Sequence, residues 1–522
     1  MSNKFIVHFE SVRKEVKNYP IVYILLSIIL FFAIFARVYN VSNNLGFYFD
    51  QGRDAMVIWN FWKNGNIFLI GPTTGIAGIF RGPWYYGLIT PFYISGQGDP
   101  VFPAVFLSLT TVLAIFFLFL IAKELVNREA GLIAATIAAF SYYIVVHSRW
   151  LSNPAPMLLI STLLLWTMIQ ISKRSSSVLA RGYGEAKWVW PAIGFLVGMA
   201  IQFGSATEIF YIPTVLIFAI WNRKQSPPAK IIILSIGLFF VSFIPQILFD
   251  LSKGGVLSKA VVNFLVKKES FKLSLWEVLG IRLNQYKLLY TSLLLPGDLG
   301  YLLPFVLGGF WIILAKPRIF IRNHKFKILA IFISLPLFGM LFFQGNYGNV
   351  FDYYFSGLYF PLILFFSLPL GYIAKNWGGK LAVITFFLLF FKLNTPVLEN
   401  YMLRGRTHFT FNDQKKAVEW VYKNAKDENF NVDVYVPPVI PYAYDYLFRW
   451  YSFRLGQDFT LVEDQVPLLY TIYELDPPNP QRLDIWLARQ ETIGKVEEEF
   501  GFGGITAQRR KRLQPTTNES IH

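Results

Sequence analysis

Runs of apolar residues, many of them long enough to cross a bilayer, recur along this chain, and they leave few architectures open. A spanning helix needs about 20 such residues. Within hydrocarbon only helices and closed barrels satisfy their own backbone hydrogen bonds. The runs fall at 20–38, 100–122, 130–147, 155–172, 188–203, 208–221, 230–249, 301–315, 327–343, 353–374 and 379–393, about eleven spans. Charged residues make up 15% of the 522, against about a quarter in a soluble domain. The expected fold class is therefore an all-α polytopic membrane protein. Tyr19 to Val38 follows Arg13, Lys14 and Lys17. It is longer than the core of a cleaved signal peptide and is read as a retained anchor.

Charge placement sets an expected topology. With a cytoplasmic N-terminus, the inner segments hold Lys123 and Arg128; Lys173, Arg174, Arg181 and Lys187; Arg223, Lys224 and Lys230; Lys316, Arg318, Arg322, Lys325 and Lys327; and Lys375 and Lys380. The short outer loops, 147–154, 204–207 and 344–352, hold only Arg149. This is the positive-inside pattern. It accounts for much of the net charge of +16 without nucleic acid as a partner. The absence of cysteine excludes disulfides and thiolate chemistry. The five histidines (His8, His147, His324, His408 and His522) show no zinc-ligand spacing.

Two outer segments are long, 39–99 and 250–300. The first holds an amphipathic stretch, Asp54 to Asn64, and the aromatic stretch Arg81-Gly-Pro-Trp-Tyr-Tyr-Gly. Both are expected as helices in the membrane interface. Composition shifts after the last span. Residues 1–394 are read as the transmembrane catalytic domain and 395–522 as a small, soluble, extracytoplasmic α/β domain. Asn412 is the expected cap of a helix to about Asn424. Val432–Val436 and Leu468–Tyr473 are expected strands. Gln508 to Arg512 reads as a basic tail, and Tyr442, Tyr444, Tyr446, Trp450 and Tyr451 as mostly core.

On this topology Asp50, Asp54, Asp99, Glu208, Asp250, Asp298 and Asp352 all lie on the outer side. Asp99 and Asp298 need no functional explanation. Asp50, Glu208 and Asp250 are candidates, because ionisable groups at membrane depth usually face a cavity or a partner. A carboxylate can act as general base on a hydroxyl. Arginine grips phosphate bidentately, and Arg53, Arg81 and Arg149 sit at the headgroup level. This inventory suits transfer from a phosphorylated lipid to a hydroxyl, and equally an anion transporter.

The order of motifs narrows the choice. One span is followed by FDQGRDA (49–55), then FRGPWYYGLITPFY (80–93), AKELVNREAGLIAA (122–135) and HSRWLSNPAPM (147–157). FIPQILFDL (243–251) and DYYFSGLYFPLIL (352–364) add weaker matches. Across roughly the first 170 residues the chain resembles the GT-C glycosyltransferases of the protein O-mannosyltransferase and aminoarabinose transferase type. That resemblance implies a membrane-embedded, inverting enzyme with a polyprenyl-phosphate-linked sugar donor and an acceptor hydroxyl or amine on a lipid, glycan or protein. It maps the catalytic acid onto Asp50, whose competing role is a helix cap. Where some members carry a second acid this chain has Gln51, and Asp54 lies one turn on. The Ser-Arg motif supplies Arg149, but Asn153 and Pro154 replace the aspartate that follows it in many relatives. Gln202, Gly204 and Glu208 stand where relatives often carry a histidine.

The candidate set is Asp50 as base; Arg53, Arg81 and Arg149 for the donor phosphate; and Asp54, Trp84, Tyr85, Asn153 and Asp250 lining a substrate cavity. A divalent metal ion, if used, would take Glu208 and Asp54. Trp84 to Tyr86 equally fit a plain aromatic belt. The rival readings are a transporter or flippase of lipid-linked saccharide, an O-antigen polymerase or ligase, and an anchor for the terminal domain. No related halves support the first. The early FDQGRDA motif disfavours the second, and the number of spans the third.

Overall fold

The computed structural model describes residues 10, 13–178, 189–223, 226–266, 274–296, 299–343, 350–405, 409–426, 428–437, 440–456 and 464–513. Asp298, His8, His408 and His522 lie outside them. The chain forms two compact units. The first takes its described residues from Met1–Tyr39, Phe68–Ile89 and Val105–Glu399, and the second from Asn40–Ile67, Thr90–Ala104 and Asn400–His522.

The first unit is helical, and the chain is a multi-pass membrane protein. Pro20–Val38, Val101–Leu125, His324–Leu341, Asp352–Ile373 and Trp377–Leu403 are long and apolar enough to cross a bilayer. Two bent pairs, Arg128–Phe140 with Tyr142–Ser148 (63°) and Ala229–Val241 with Ile244–Ser252 (52°), are each long and apolar enough only when taken together, as a broken span or a re-entrant loop. Met157–Ser172, Val189–Phe203, Thr207–Trp221 and Gly300–Ala315 are shorter apolar helices. Together they fall on every run expected from the sequence. Outward side chains stay apolar, as hydrocarbon requires: Phe31, Ile233, Leu307 and Leu388 are each more than half exposed.

The bends have local causes. Ser141 starts a new helix by accepting a hydrogen bond from Ile144 N, and Pro245 sits in the first turn after the second break. A helix end at membrane depth leaves carbonyls that need donors. Arg37, fully buried, supplies them at the end of Arg128–Phe140, donating to Ala138 O at 2.9 Å and Ala139 O at 3.0 Å. Helix packing is close: a Cβ on Gly371 would lie 2.4 Å from Ala130 Cα. The long segment 250–300 is not a plain loop, since it folds into helices Val256–Val266 and Leu275–Leu294.

The second unit carries a four-stranded sheet in the order β1-β2-β4-β3, comprising β1 (Phe430–Tyr435), β2 (Leu468–Glu474), β3 (Gly494–Phe502) and β4 (Ile505–Arg512). β1 and β2 run parallel, joined through helix Tyr442–Leu455, while β4 is antiparallel to both β2 and β3. The expected basic tail is thus β4, an interior strand. The helix expected from Asn412 runs Phe411–Ala425 and is capped by Thr410, whose Oγ1 accepts from Asp413 N while Asp413 Oδ2 accepts from Thr410 N. Tyr444, Tyr446 and Trp450 are buried as expected.

Helix Phe49–Asn64, the amphipathic helix of the first outer segment, belongs to this same unit. It packs on Tyr442–Leu455 so closely that a Cβ on Gly52 would lie 2.3 Å from Ala443 N. Phe49 meets Tyr442 at 5.0 Å and Trp59 meets Tyr446 at 5.9 Å.

Candidate active site

Helix Phe49–Asn64 positions the first acidic motif. Its N-cap is Tyr48, with Gln51 Oε1 accepting from the Tyr48 N–H at 3.2 Å, and Gly65 ends it at φ +71°. Asp50 is therefore a first-turn residue and not the cap. Arg53, one turn on, donates to Asp50 Oδ1 at 2.9 Å and to Asp54 Oδ1 at 2.8 Å through Nη2 and 3.0 Å through Nε. Asp54 is buried, whereas the Asp50 side chain is 61% exposed. One guanidinium thus serves two carboxylates and the trio keeps a net negative charge. The expected phosphate role for Arg53 does not match this geometry, because its donors point at Asp50 and Asp54. The same engagement occupies Oδ1 of Asp54, the other residue expected to ligate a metal.

In the first unit, Arg81 sits on a small hairpin. Gly71 N donates to Arg81 O, Arg81 N donates to Pro72 O, and Thr73 bridges Phe80. Gly82 packs directly on the Gln202 amide, where a Cβ would lie 2.0 Å from Gln202 Oε1 and displace it. A buried amide pair holds this hairpin: Gln202 Nε2 donates to Gln246 Oε1 at 2.8 Å and Gln246 Nε2 to Phe80 O at 2.8 Å. Trp84 Nε1 donates to Ser242 O at 2.6 Å. Arg81 Nη2 reaches Ser205 Oγ at 3.3 Å, and Ser205 N donates to Glu208 Oε2 at 2.7 Å. Burial lowers the Arg81 pKa and the neighbouring Glu208 carboxylate opposes it. The guanidinium stays cationic at neutral pH.

Glu208 is 2% exposed. Gly204 lets its carboxylate fold back, since a Cβ there would lie 2.2 Å from Glu208 Cδ. Oε1 makes no hydrogen bond among the described residues. Asn153 Nδ2 donates to Phe203 O at 2.9 Å, just before this turn. The unit therefore brings Arg81, Asn153 and Glu208 into one neighbourhood around the 203–208 turn.

Other expected site residues are used differently. Arg149 is 2% exposed and donates to Ala36 O at 2.9 Å and Tyr39 O at 2.7 Å, closing the end of helix Pro20–Val38. It is a helix-end donor. Asp250 Oδ1 accepts from Leu257 N at 2.7 Å and Ser258 N at 3.2 Å, capping helix Val256–Val266 in place of lining a cavity. Tyr85 is 1% exposed and belongs to the core. Among the described residues no three His, Asp or Glu groups gather closely enough to hold a metal ion.

Sequence reasoning did not single out Gln246 or Ser205, nor the network in which Tyr143 Oη donates to Asp352 Oδ2 at 2.9 Å and lies 3.0 Å from Tyr359 Oη. His147 packs on Tyr359 at 4.9 Å. The available signals were the FIPQILFDL and DYYFSGLYFPLIL stretches.

Comparison places this architecture. Residues 82–249 match the family described as dolichyl-phosphate-mannose-protein mannosyltransferase. The structure is similar to that of ArnT from Cupriavidus metallidurans bound to undecaprenyl phosphate, with a TM-score of 0.57 at 12% identity, covering 94% of this chain and 97% of that one. It is also similar to the archaeal oligosaccharyltransferase AglB from Archaeoglobus fulgidus in complex with an inhibitory peptide and a dolichol-phosphate. There the TM-score is 0.51 at 12% identity, covering 96% of this chain and 75% of that one. No curated protein sequence matches. The chain has the GT-C fold, with a small C-terminal sheet. It is a membrane glycosyltransferase.

Proposed function

We propose that the protein moves a sugar from a polyprenyl-phosphate donor to an acceptor hydroxyl or amine on the extracytoplasmic face, with inversion. The observation that carries this reading is the trio on helix Phe49–Asn64. Arg53 holds two carboxylates, and the exposed one, Asp50, is left open to solvent. An accessible carboxylate beside a fixed cation suits a general base. Asp50 takes the acceptor proton, the freed lone pair forms the bond to the anomeric carbon, and the carbon–oxygen bond to phosphate breaks with its electrons leaving on the phosphate. Arg81, on the hairpin whose Phe80 O is held by Gln246, is the cation proposed for binding the donor. The undecaprenyl phosphate and dolichol-phosphate bound by the two similar structures support the donor class. Lysine and arginine in alternate loops support a cytoplasmic N-terminus and an extracytoplasmic C-terminal domain.

If the reaction uses a divalent ion, Glu208 Oε1 is the protein oxygen proposed for it. The remaining ligands would come from donor phosphate and water, as is usual for magnesium. Such an ion would neutralise the leaving phosphate.

The test is product analysis in proteoliposomes given radiolabelled polyprenyl-phosphate sugar. Free polyprenyl phosphate and a glycosylated acceptor support transfer. Intact donor carried between leaflets would establish the flippase reading instead.

A further inference from the structure

The second unit contains two neighbouring cavities that no step above uses. One, of about 390 Å³, is lined by the free edge of β1 from Val432 to Val436 and by Asp433, Tyr435, Asp445, Trp486 and Arg489. The other, of about 330 Å³, is lined by Arg53, Asn60, Tyr442, Asp445 and Arg449. Asp445 lines both, so they adjoin along the path from the Asp50 helix to the sheet edge. Both volumes lie in the range of small-ligand sites, about 300–1,000 Å³.

The walls define the chemistry. Trp486 stands 5.7 Å from Tyr435 and 6.1 Å from Tyr473, which leaves aromatic faces beside the cavity. Asp433 accepts from Arg489 at 3.2 Å and Gln490 at 2.6 Å. The Arg489 cation and the Asp433 anion are therefore paired with each other, which disfavours a strongly charged ligand of either sign beside them. The walls mix apolar side chains, among them Val434, Phe448 and Met56, with Asp433, Asp445, Asn60 and Arg489, and those polar groups disfavour a wholly apolar acyl chain. A sugar ring has an apolar C–H face that stacks on aromatic rings. Its hydroxyl rim both donates and accepts, which matches the planar carboxylate, guanidinium and amide groups.

We infer that this path is a carbohydrate-binding groove, with Trp486 as its stacking platform, and that the acceptor is a glycan. The inference rests on the proposed role of Asp50, since the groove begins at Arg53 beside it. Asp445, shared by both cavities, would bond hydroxyls midway along the bound chain.

The test uses the full chain in detergent, probed on a printed array of oligosaccharides and a companion array of serine- and threonine-containing peptides. Wild type should bind glycans, and Trp486→Ala and Arg489→Ala should each weaken binding roughly tenfold at unchanged melting temperature. Two variants are used because Trp486→Ala also loses packing against Tyr473, whereas Arg489 is largely exposed. Binding to peptides alone, binding to neither array, or full glycan binding by both folded variants would overturn the inference. The two readings fail separately. Sugar transfer that depends on Asp50 without glycan binding defeats only the groove. Glycan binding without transfer defeats only the catalytic reading.

Discussion

Replacing Arg149 separates two roles that the sequence leaves open. In the structure its guanidinium closes the end of helix Pro20–Val38 through Ala36 O and Tyr39 O. Arg149→Ala would remove both bonds and leave buried carbonyls without these donors. A hydrogen bond to a charged group contributes about 1.5–3 kcal/mol in soluble proteins, while side-chain bonds inside membranes average nearer 0.6 kcal/mol. For two bonds of 2.9 Å and 2.7 Å a loss of about 1–6 kcal/mol follows, enough to lower the melting temperature of a chain this long by roughly 1–5 °C. Arg149→Lys keeps the charge but can reach fewer carbonyls, so it should fall between wild type and alanine. The assay is thermal unfolding in detergent, followed by donor kinetics on the folded fraction. An unchanged melting temperature together with a tenfold higher donor KM would refute the helix-end role and restore Arg149 as a phosphate ligand.

Gln246→Ala removes the amide that holds Phe80 O and should raise donor KM or lower kcat by roughly tenfold, about 1.4 kcal/mol, as measured by steady-state kinetics. Gly52→Ala should lower both stability and turnover, because its Cβ would meet Ala443 N at 2.3 Å, and thermal melts with activity assays check this. Glu474, buried between Gln414 and Tyr444, has its carboxyl pushed up to about 7 by burial. A raised carboxyl pKa means that the folded state holds a proton the unfolded state has lost. The second unit should therefore lose on the order of 3 kcal/mol as pH rises from about 4.5 to 7, and Glu474→Gln should flatten that dependence in pH-resolved melts. Chelation by EDTA tests the proposed ion at Glu208: turnover should fall and return with added Mg²⁺ or Mn²⁺, and unchanged turnover removes the ion from the reaction.

Spans were legible because each apolar run is a local signal. The breaks at Ser141 and before Pro245 were not, because helix bending depends on what satisfies the freed backbone. Strands β3 and β4 hid behind charge: Glu497 and Arg509 look solvated in sequence yet pair across the strands at 3.3 Å. The Thr410 cap was readable, since Thr410 and Asp413 form the capping-box spacing. Asp50 and Arg81 stood out as charges in apolar surroundings. The helix-end role of Arg149 did not, because its carbonyl partners lie more than a hundred residues away, and a backbone acceptor leaves no residue-type signature. Gln202 and Gln246 were hidden for a related reason. Neutral amides separated by 44 positions carry no periodic signal, yet a buried pair of them fixes the loop that carries Arg81.

The most direct test of the central claim compares wild type with Asp50→Asn for turnover of radiolabelled polyprenyl-phosphate sugar, at equal abundance in proteoliposomes. Loss of a general base should lower turnover by roughly 10²–10⁴-fold with the fold intact. Full turnover by folded Asp50→Asn would contradict the account and place the base elsewhere.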